Sequence, residues 1–270
     1  MNIYKQEVSK YTRKDAIMAL CLFIVVSIPH NRILATISVQ LLEVPNVVWQ
    51  LMIALFFVVP VIILLLINKQ GLSSIGFHRK HLWSALRLGL IGSIIPLLLY
   101  SGLLAGIFNG WEFNPPTTML YLLLIIFIAA AREDIAFVYI QTRLYGLIKN
   151  DRLAVFTCAV LFALFHAPFR IWVLGWPVLD TLVSPLMIGH IGSHIVFNMF
   201  FRKYFSIFSV ILIHTIWNFS AFGGLWAVSG IGIEDTISFI VIMLALIIWV
   251  WLSHRSVKKK SKEQTNLRTN

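Results

Sequence analysis

Hydrophobic runs of about 20 residues recur from one end of this chain to the other. Each run is long enough to cross a bilayer core of roughly 30 Å as a helix. Backbone groups in hydrocarbon must satisfy their own hydrogen bonds, so only helices or a closed barrel can span it. The runs are continuous rather than alternating, which selects helices. We therefore predict an all-α, polytopic integral membrane bundle that crosses the cell membrane several times.

The run boundaries predict about eight transmembrane helices, with both termini on the cytoplasmic side. Basic connections follow the second, fourth and sixth runs, and the other connections are mostly acidic, with Arg170 as the one clear base among them. Positively charged loops stay in the cytoplasm, so this alternation orients the bundle. The predicted spans are 16–39, 46–68, 82–108, 117–145, 153–169, 182–201, 204–222 and 233–253.

The charge balance fits the same organisation. Residues 1–15 form a basic cytoplasmic N-terminus, residues 16–253 the membrane domain, and residues 254–270 a basic cytoplasmic tail. The net charge of +11 would suggest nucleic-acid binding in a soluble chain. With 59% hydrophobic residues, it is better explained by topology and by anionic lipid, and no nucleic-acid partner is expected.

Two adjacent carboxylates, Glu133 and Asp134, lie in the middle of the fourth predicted span. A charged side chain costs at least about 2.5–3.5 kcal/mol at the centre of a membrane helix, which makes it a functional candidate. A carboxylate in such a place suits general acid or base chemistry. The alternative is that Arg132 pairs with one of these acids and supports helix packing.

Histidines in the fifth and seventh spans complete a polar layer. His166 lies four residues after Phe162, and Asn218 follows His214 at the same spacing, which places each pair on one helix face. An imidazole with an amide can stabilise an oxyanion, although either histidine could instead form an interhelical hydrogen bond. The helical rise places Glu133, His166 and His214 at similar depths, near mid-membrane.

A second polar row, in the sixth span, is open to more than one interpretation. His190, His194 and Asn198 share one helix face at a spacing of four. They could coordinate a cation or join a proton path. Small residues nearby favour close helix packing instead, so the sequence does not assign this row a role.

Taken together, Glu133-Asp134, Phe162-xxx-His166 and His214-xxx-Asn218 resemble the motifs of the CPBP family of intramembrane endopeptidases, which includes CAAX proteases and bacteriocin-processing or Abi proteins. The resemblance covers about residues 117–222. It departs from the family pattern at Asp134, where the family has glutamate, and at Val138, where the family has arginine. These departures bear on activity more than on membership.

The resemblance implies a glutamate-dependent endopeptidase. Glu133 would activate water with the help of His166, and His214 and Asn218 would stabilise the oxyanion, with Asp134 and Phe162 in support. The substrate would be a peptide or a lipidated protein at the membrane. One carboxylate and two histidines could bind zinc. However, the common zinc motif, in which His-Glu is followed after two intervening residues by a second His, is not present, and the metal-free mechanism is favoured.

Two other functions compete with this hypothesis. A bacteriocin self-immunity protein on the same scaffold, with weak or no proteolysis, would bind a bacteriocin or its receptor. A proton-coupled transporter would use the intramembrane acids and histidines as a relay, but the internal repeat that many transporters show is not evident.

Overall fold

The computed structural model describes residues 3–40, 46–79, 81–98, 113–172, 174–221 and 248. In these residues the chain forms helices joined by short connections, with a single 3-10 turn at Leu72–Ile75. The helices are α1 (Ile3–Val8), α2 (Arg13–Gln40), α3 (Asn46–Ile67), α4 (Leu82–Pro96), α5 (Pro116–Ile148), α6 (Asp151–Trp172), α7 (Val178–Val183), α8 (Pro185–Tyr204) and α9 (Ile207–Ala221).

The predicted all-α membrane bundle is confirmed. Within the described segments, three stretches are long and apolar enough to cross a bilayer, namely Val47–Ile67, Asp151–Trp172 and Val178–Tyr204, and α4 and α9 are shorter apolar helices. The end of the third predicted span (99–108), the eighth (233–253) and the basic tail (254–270) lie outside the described residues, apart from Ile248. The orientation of the termini stays a prediction.

The long helix α5 lies at the centre of the bundle. It packs against α2, α3, α6 and α9, while α8 packs on α6, and α4 packs on α9. Every side chain from Ala136 to Leu144 is buried, so this part of α5 is enclosed on all sides. By contrast, α3 leaves large apolar side chains such as Leu55 and Leu66 exposed, as expected of a helix that faces lipid.

Helix ends follow ordinary capping chemistry. α5 begins at Pro116, where a missing backbone N–H costs nothing, and ends at Ile148, after which Lys149 adopts a left-handed conformation. At the start of α6, the Asn150 side chain accepts hydrogen bonds from the backbone of Arg152 and Leu153. α6 then continues through Pro168 to Trp172, beyond the predicted end at residue 169, because the proline is accommodated inside the helix.

The first described residues of the chain pack onto the bundle rather than extending from it. We call residues 3–12 the N-terminal clasp. Its side chains Tyr4, Val8 and Tyr11 are buried against the end of α5, and α1 also contacts α8. The predicted basic N-terminus therefore carries an apolar face that closes one end of the bundle.

Arg143 is the polar centre of this contact and is fully buried. Its guanidinium lies between the rings of Tyr11 and Tyr139, 4.3 Å and 4.2 Å from their centroids. It also donates to the Gln70 side chain at 2.6 Å and to the Ser74 hydroxyl at 2.7 Å. Cation–π contacts and charge-assisted hydrogen bonds together compensate for the loss of water around the charge.

Gly146 allows the clasp to reach α5. A Cβ atom at this position would lie 2.0 Å from the carbonyl oxygen of Thr12, much closer than van der Waals contact. Since Thr12 presents backbone here, it cannot rotate away as a flexible side chain could. Any residue other than glycine would push the clasp off the helix.

We predict that Gly146→Ala lowers the thermal unfolding temperature of the detergent-purified protein, because overpacking of a close contact costs about 1–3 kcal/mol. The matched control is Gly71→Ala, whose added methyl would meet only the Ser73 hydroxyl at 3.6 Å and whose φ of −85° is open to alanine. Equal unfolding temperatures for the two variants would contradict the close approach.

Candidate active site

The two adjacent acids of α5 face two different histidines. Consecutive helical side chains point about 100° apart, so neighbouring residues can reach different helices. Glu133 Oε2 lies 3.8 Å from His166 Nε2 on α6, and Asp134 Oδ1 lies 3.0 Å from His214 Nδ1 on α9. The structure thus brings together Glu133, His166 and His214, and adds a direct Asp134–His214 pair.

Arg132 does not pair with these acids. Its guanidinium donates to the Gln50 side chain on α3 and lies 5.6 Å from the centre of the Phe57 ring. Among the described residues no ion pair within 4.0 Å joins Arg132 to either acid, so the direct salt bridge of the alternative is not formed. The close partners of Glu133 and Asp134 are the histidines.

The hydrogen bonds of His166 define which ring nitrogen carries its proton. Its Nδ1 lies 2.8 Å from the Phe162 carbonyl oxygen, one turn earlier in α6. A carbonyl oxygen can only accept, so Nδ1 is the donor. In the neutral ring, Nε2 then carries a lone pair and faces the Glu133 carboxylate.

The Nδ1 of His214 contacts a charged carboxylate rather than a backbone carbonyl oxygen. Its Nδ1 donates to the Asp134 carboxylate, and both residues are almost completely buried. The Phe197 ring stacks on the imidazole at 4.7 Å between centroids. Asp134 therefore fixes the ring orientation and supplies the counter-ion that a protonated imidazole needs in a dry site.

Asn218 lies one turn beyond His214 on α9 and is half-buried. The four-residue spacing places its amide on the same face of the helix as the imidazole. Its side chain forms no hydrogen bond with any other residue that the structure describes. Its donors are therefore available to a ligand beside His214.

Phe162 lies among the histidines and is buried. Its ring centroid is 4.7 Å from that of His166, 6.1 Å from that of His214 and 4.6 Å from that of His194, on which it stacks. One aromatic ring thus separates and orients imidazoles from α6, α8 and α9. The supporting role of Phe162 in the reaction stays a prediction.

The histidine row of α8, left open by the sequence, borders the same site. His190 stacks on His166 with ring centroids 4.2 Å apart, and His194 stacks on Phe162. Neither ring nitrogen of the buried His194 has a hydrogen-bond partner within the described part of the chain. Asn198 donates to the backbone oxygen of His194 and takes no part in the site.

Arg170 is the residue that the sequence interpretation missed. We predicted it in a connection outside the membrane span, whereas it lies in the last turn of α6, one turn after His166. Its guanidinium nitrogen lies 2.9 Å from His190 Nε2. The i,i+4 spacing from His166 was visible in the sequence, but Pro168 between them had suggested the end of the helix.

The residues at the departures from the family pattern are buried on α5. Val138 is 4% exposed and belongs to the hydrophobic core, so this position supplies no cation to the site. Gln141, one turn further on, donates to the Tyr4 hydroxyl and secures the N-terminal clasp. Across the described segments, no three His, Cys, Asp or Glu side chains converge as metal ligands, so the acids and histidines are arranged in pairs.

We predict that Phe162→Ala destabilises the protein by about 3 kcal/mol, because truncation of a buried phenylalanine leaves a cavity. The imidazoles of His166 and His194 lose their packing contact as well. Phe156→Ala on the same helix is the matched control, since that side chain is 50% exposed. Thermal unfolding in detergent measures both, and a comparable loss for the two variants would contradict the central position of Phe162.

Comparison with known proteins agrees with this architecture. The family model for type II CAAX prenyl endopeptidases, Rce1-like, matches residues 115–220. The match runs from the start of α5 to the last turn of α9 and includes both acids, both paired histidines and Asn218. A search of curated proteins finds no match. Residues 115–220 are thus similar to the Rce1-like type II CAAX prenyl endopeptidases of the CPBP family.

Proposed function

We propose that this protein hydrolyses a peptide bond of a membrane-associated or prenylated peptide substrate, with a water molecule activated by Glu133. The observation that carries this proposal is the approach of Glu133 Oε2 to His166 Nε2 at 3.8 Å. These atoms come from different helices in an enclosed part of the bundle, where unpaired polar groups are costly. The match of residues 115–220 to the model of Rce1-like CAAX prenyl endopeptidases supports the same reaction class.

The separation of the two atoms suits an intervening water. A direct hydrogen bond would require about 2.7–3.2 Å, so 3.8 Å is too long for one. Both the carboxylate oxygen and the lone pair of His166 Nε2 are acceptors. A water can donate one hydrogen to each, which raises the electron density on its oxygen and prepares it as a nucleophile.

In this mechanism His214 and Asn218 stabilise the oxyanion. With Nδ1 donating to Asp134, a protonated His214 presents Nε2–H to a ligand, and the Asn218 amide adds a second donor on the same face. Donors held in a dry site before the reaction begins stabilise developing negative charge more strongly than water does. The Asp134 charge keeps the imidazolium in place throughout.

The reaction then needs only these groups. The water oxygen attacks the scissile carbonyl carbon while Glu133 takes a proton, and the carbonyl oxygen becomes an oxyanion held by His214 and Asn218. Glu133 next gives its proton to the amide nitrogen, and the C–N bond breaks. The products are a carboxylic acid and an amine, and the carboxylate is regenerated.

We expect Glu133→Gln to reduce cleavage by at least about 100-fold, since loss of a general base typically costs 10²–10⁴ in rate. Purified protein in lipid nanodiscs would be incubated with a farnesylated peptide that ends in a Cys-aliphatic-aliphatic-X sequence. Mass spectrometry would follow the products. The control Asp180→Asn removes an exposed carboxylate on α7, outside the site, and should leave the rate unchanged.

Equal rates for the wild type and Glu133→Gln would refute the mechanism. Protection of a bacteriocin-sensitive host that survives Glu133→Gln and His166→Ala, without cleavage of any peptide, would favour the self-immunity hypothesis instead.

Asp134→Asn tests the role of the counter-ion separately. The asparagine oxygen can still accept from His214 Nδ1, so the ring orientation is kept while the negative charge is lost. We expect kcat to fall about 10- to 100-fold with KM nearly unchanged, because the oxyanion is stabilised only after substrate binds. A purely geometric role for Asp134 would leave kcat close to the wild-type value.

A further inference from the structure

The side chain of Arg170 has unusual surroundings for an arginine near the end of a membrane helix. Such side chains normally extend to the interface and keep the guanidinium in water. Here the side chain is half-buried and directed towards α8. One terminal nitrogen lies 2.9 Å from His190 Nε2, and the other lies 3.6 Å from the Met187 sulfur.

The partners of Arg170 do not balance its charge. A guanidinium can only donate, so His190 Nε2 must accept and the His190 ring is neutral. Within the part of the chain that the structure describes, no carboxylate lies within 4.0 Å of the Arg170 guanidinium. A thioether and a neutral imidazole thus hold a partly desolvated cation, which favours binding of an anion.

The distances connect this cation to the proposed catalytic pair. Arg170 contacts His190, His190 stacks on His166 at 4.2 Å, and His166 lies 3.8 Å from the Glu133 carboxylate. Together these contacts limit the separation of the guanidinium and the Glu133 carboxylate to at most about 13 Å, the length of about four residues of extended peptide.

We propose that Arg170, oriented by His190, binds a carboxylate of the substrate peptide that lies no more than about four extended residues from the bond that is cut. This inference rests on the proposed peptidase function. The planar guanidinium can form two parallel hydrogen bonds with a carboxylate, which adds geometric selectivity to charge attraction. The carboxylate belongs either to the free C-terminus or to an acidic side chain, and the two sources can be distinguished.

Binding can be measured without hydrolysis in a Glu133→Gln background, in nanodiscs, by fluorescence polarisation. Three labelled farnesylated peptides would share one sequence that ends three residues after the cysteine. The first has a free C-terminal carboxylate, the second has a C-terminal amide, and the third has the amide with its last residue replaced by aspartate. Each peptide would be tested with this parent protein and with its Arg170→Lys and Arg170→Gln variants. The control variant is Arg152→Gln, which removes an exposed arginine near the other end of the same helix.

We expect the free acid to bind at least about tenfold more tightly than the amide when Arg170 is present, since hydrogen bonds between two charged groups are stronger than those to a neutral amide. Arg170→Gln should remove this preference, and Arg170→Lys should keep part of it, because lysine retains the charge without the planar fork. Arg152→Gln should bind as the parent does. Recovery of tight binding by the aspartate peptide would identify an acidic side chain as a sufficient ligand, whereas binding as weak as that of the amide would identify the C-terminus.

A preference for the acid that persists in Arg170→Gln would overturn the inference, and so would an absence of preference in the parent, including failure of all three peptides to bind. Thermal unfolding of Arg170→Gln at the parent temperature would show that the change acts on the ligand rather than on the fold. Cleavage by the protein with Glu133 intact is measured in parallel. Cleavage without an Arg170-dependent preference refutes this inference alone, and preference without cleavage refutes the peptidase proposal alone.

Discussion

Buried charge on α5 has to be matched by groups from other helices, and the arrangement of the site follows from that requirement. Glu133 and Asp134 lie in an enclosed part of the bundle, where an isolated carboxylate is strongly disfavoured. Histidines on α6 and α9 are placed opposite these acids. Because α5 is in contact with both of those helices, the two acid–imidazole pairs also fix how the central helices pack.

The two pairs are chemically different although the acids are adjacent. His214 donates directly to Asp134, while His166 donates to a backbone carbonyl and turns its other nitrogen to Glu133 across a longer gap. The short contact suits an ion pair that stays in place, and the longer one leaves room for a reacting molecule. This asymmetry is the physical basis for giving the two histidines different roles.

Aromatic stacking holds the imidazoles where hydrogen bonds alone would not. His166 lies between Phe162 and His190, and His214 packs on Phe197. Flat rings at these distances restrict rotation of the imidazoles, and the Phe162 and Phe197 rings carry no polar atom that would compete with the acids. The stack also joins α8 to the site and extends the polar layer as far as Arg170.

The sequence by itself determined the fold class and the helices that carry the site, because long apolar runs in hydrocarbon have few alternatives to helices and because intramembrane acids and histidines are rare enough to stand out. Only the tertiary structure decided that Asp134 faces His214, that His190 stacks on His166 and that Arg170 lies inside α6. Such pairings depend on the rotation of each helix about its axis and on its exact end. Spacing along one helix defines neither of these, because the packing of all the helices sets them together.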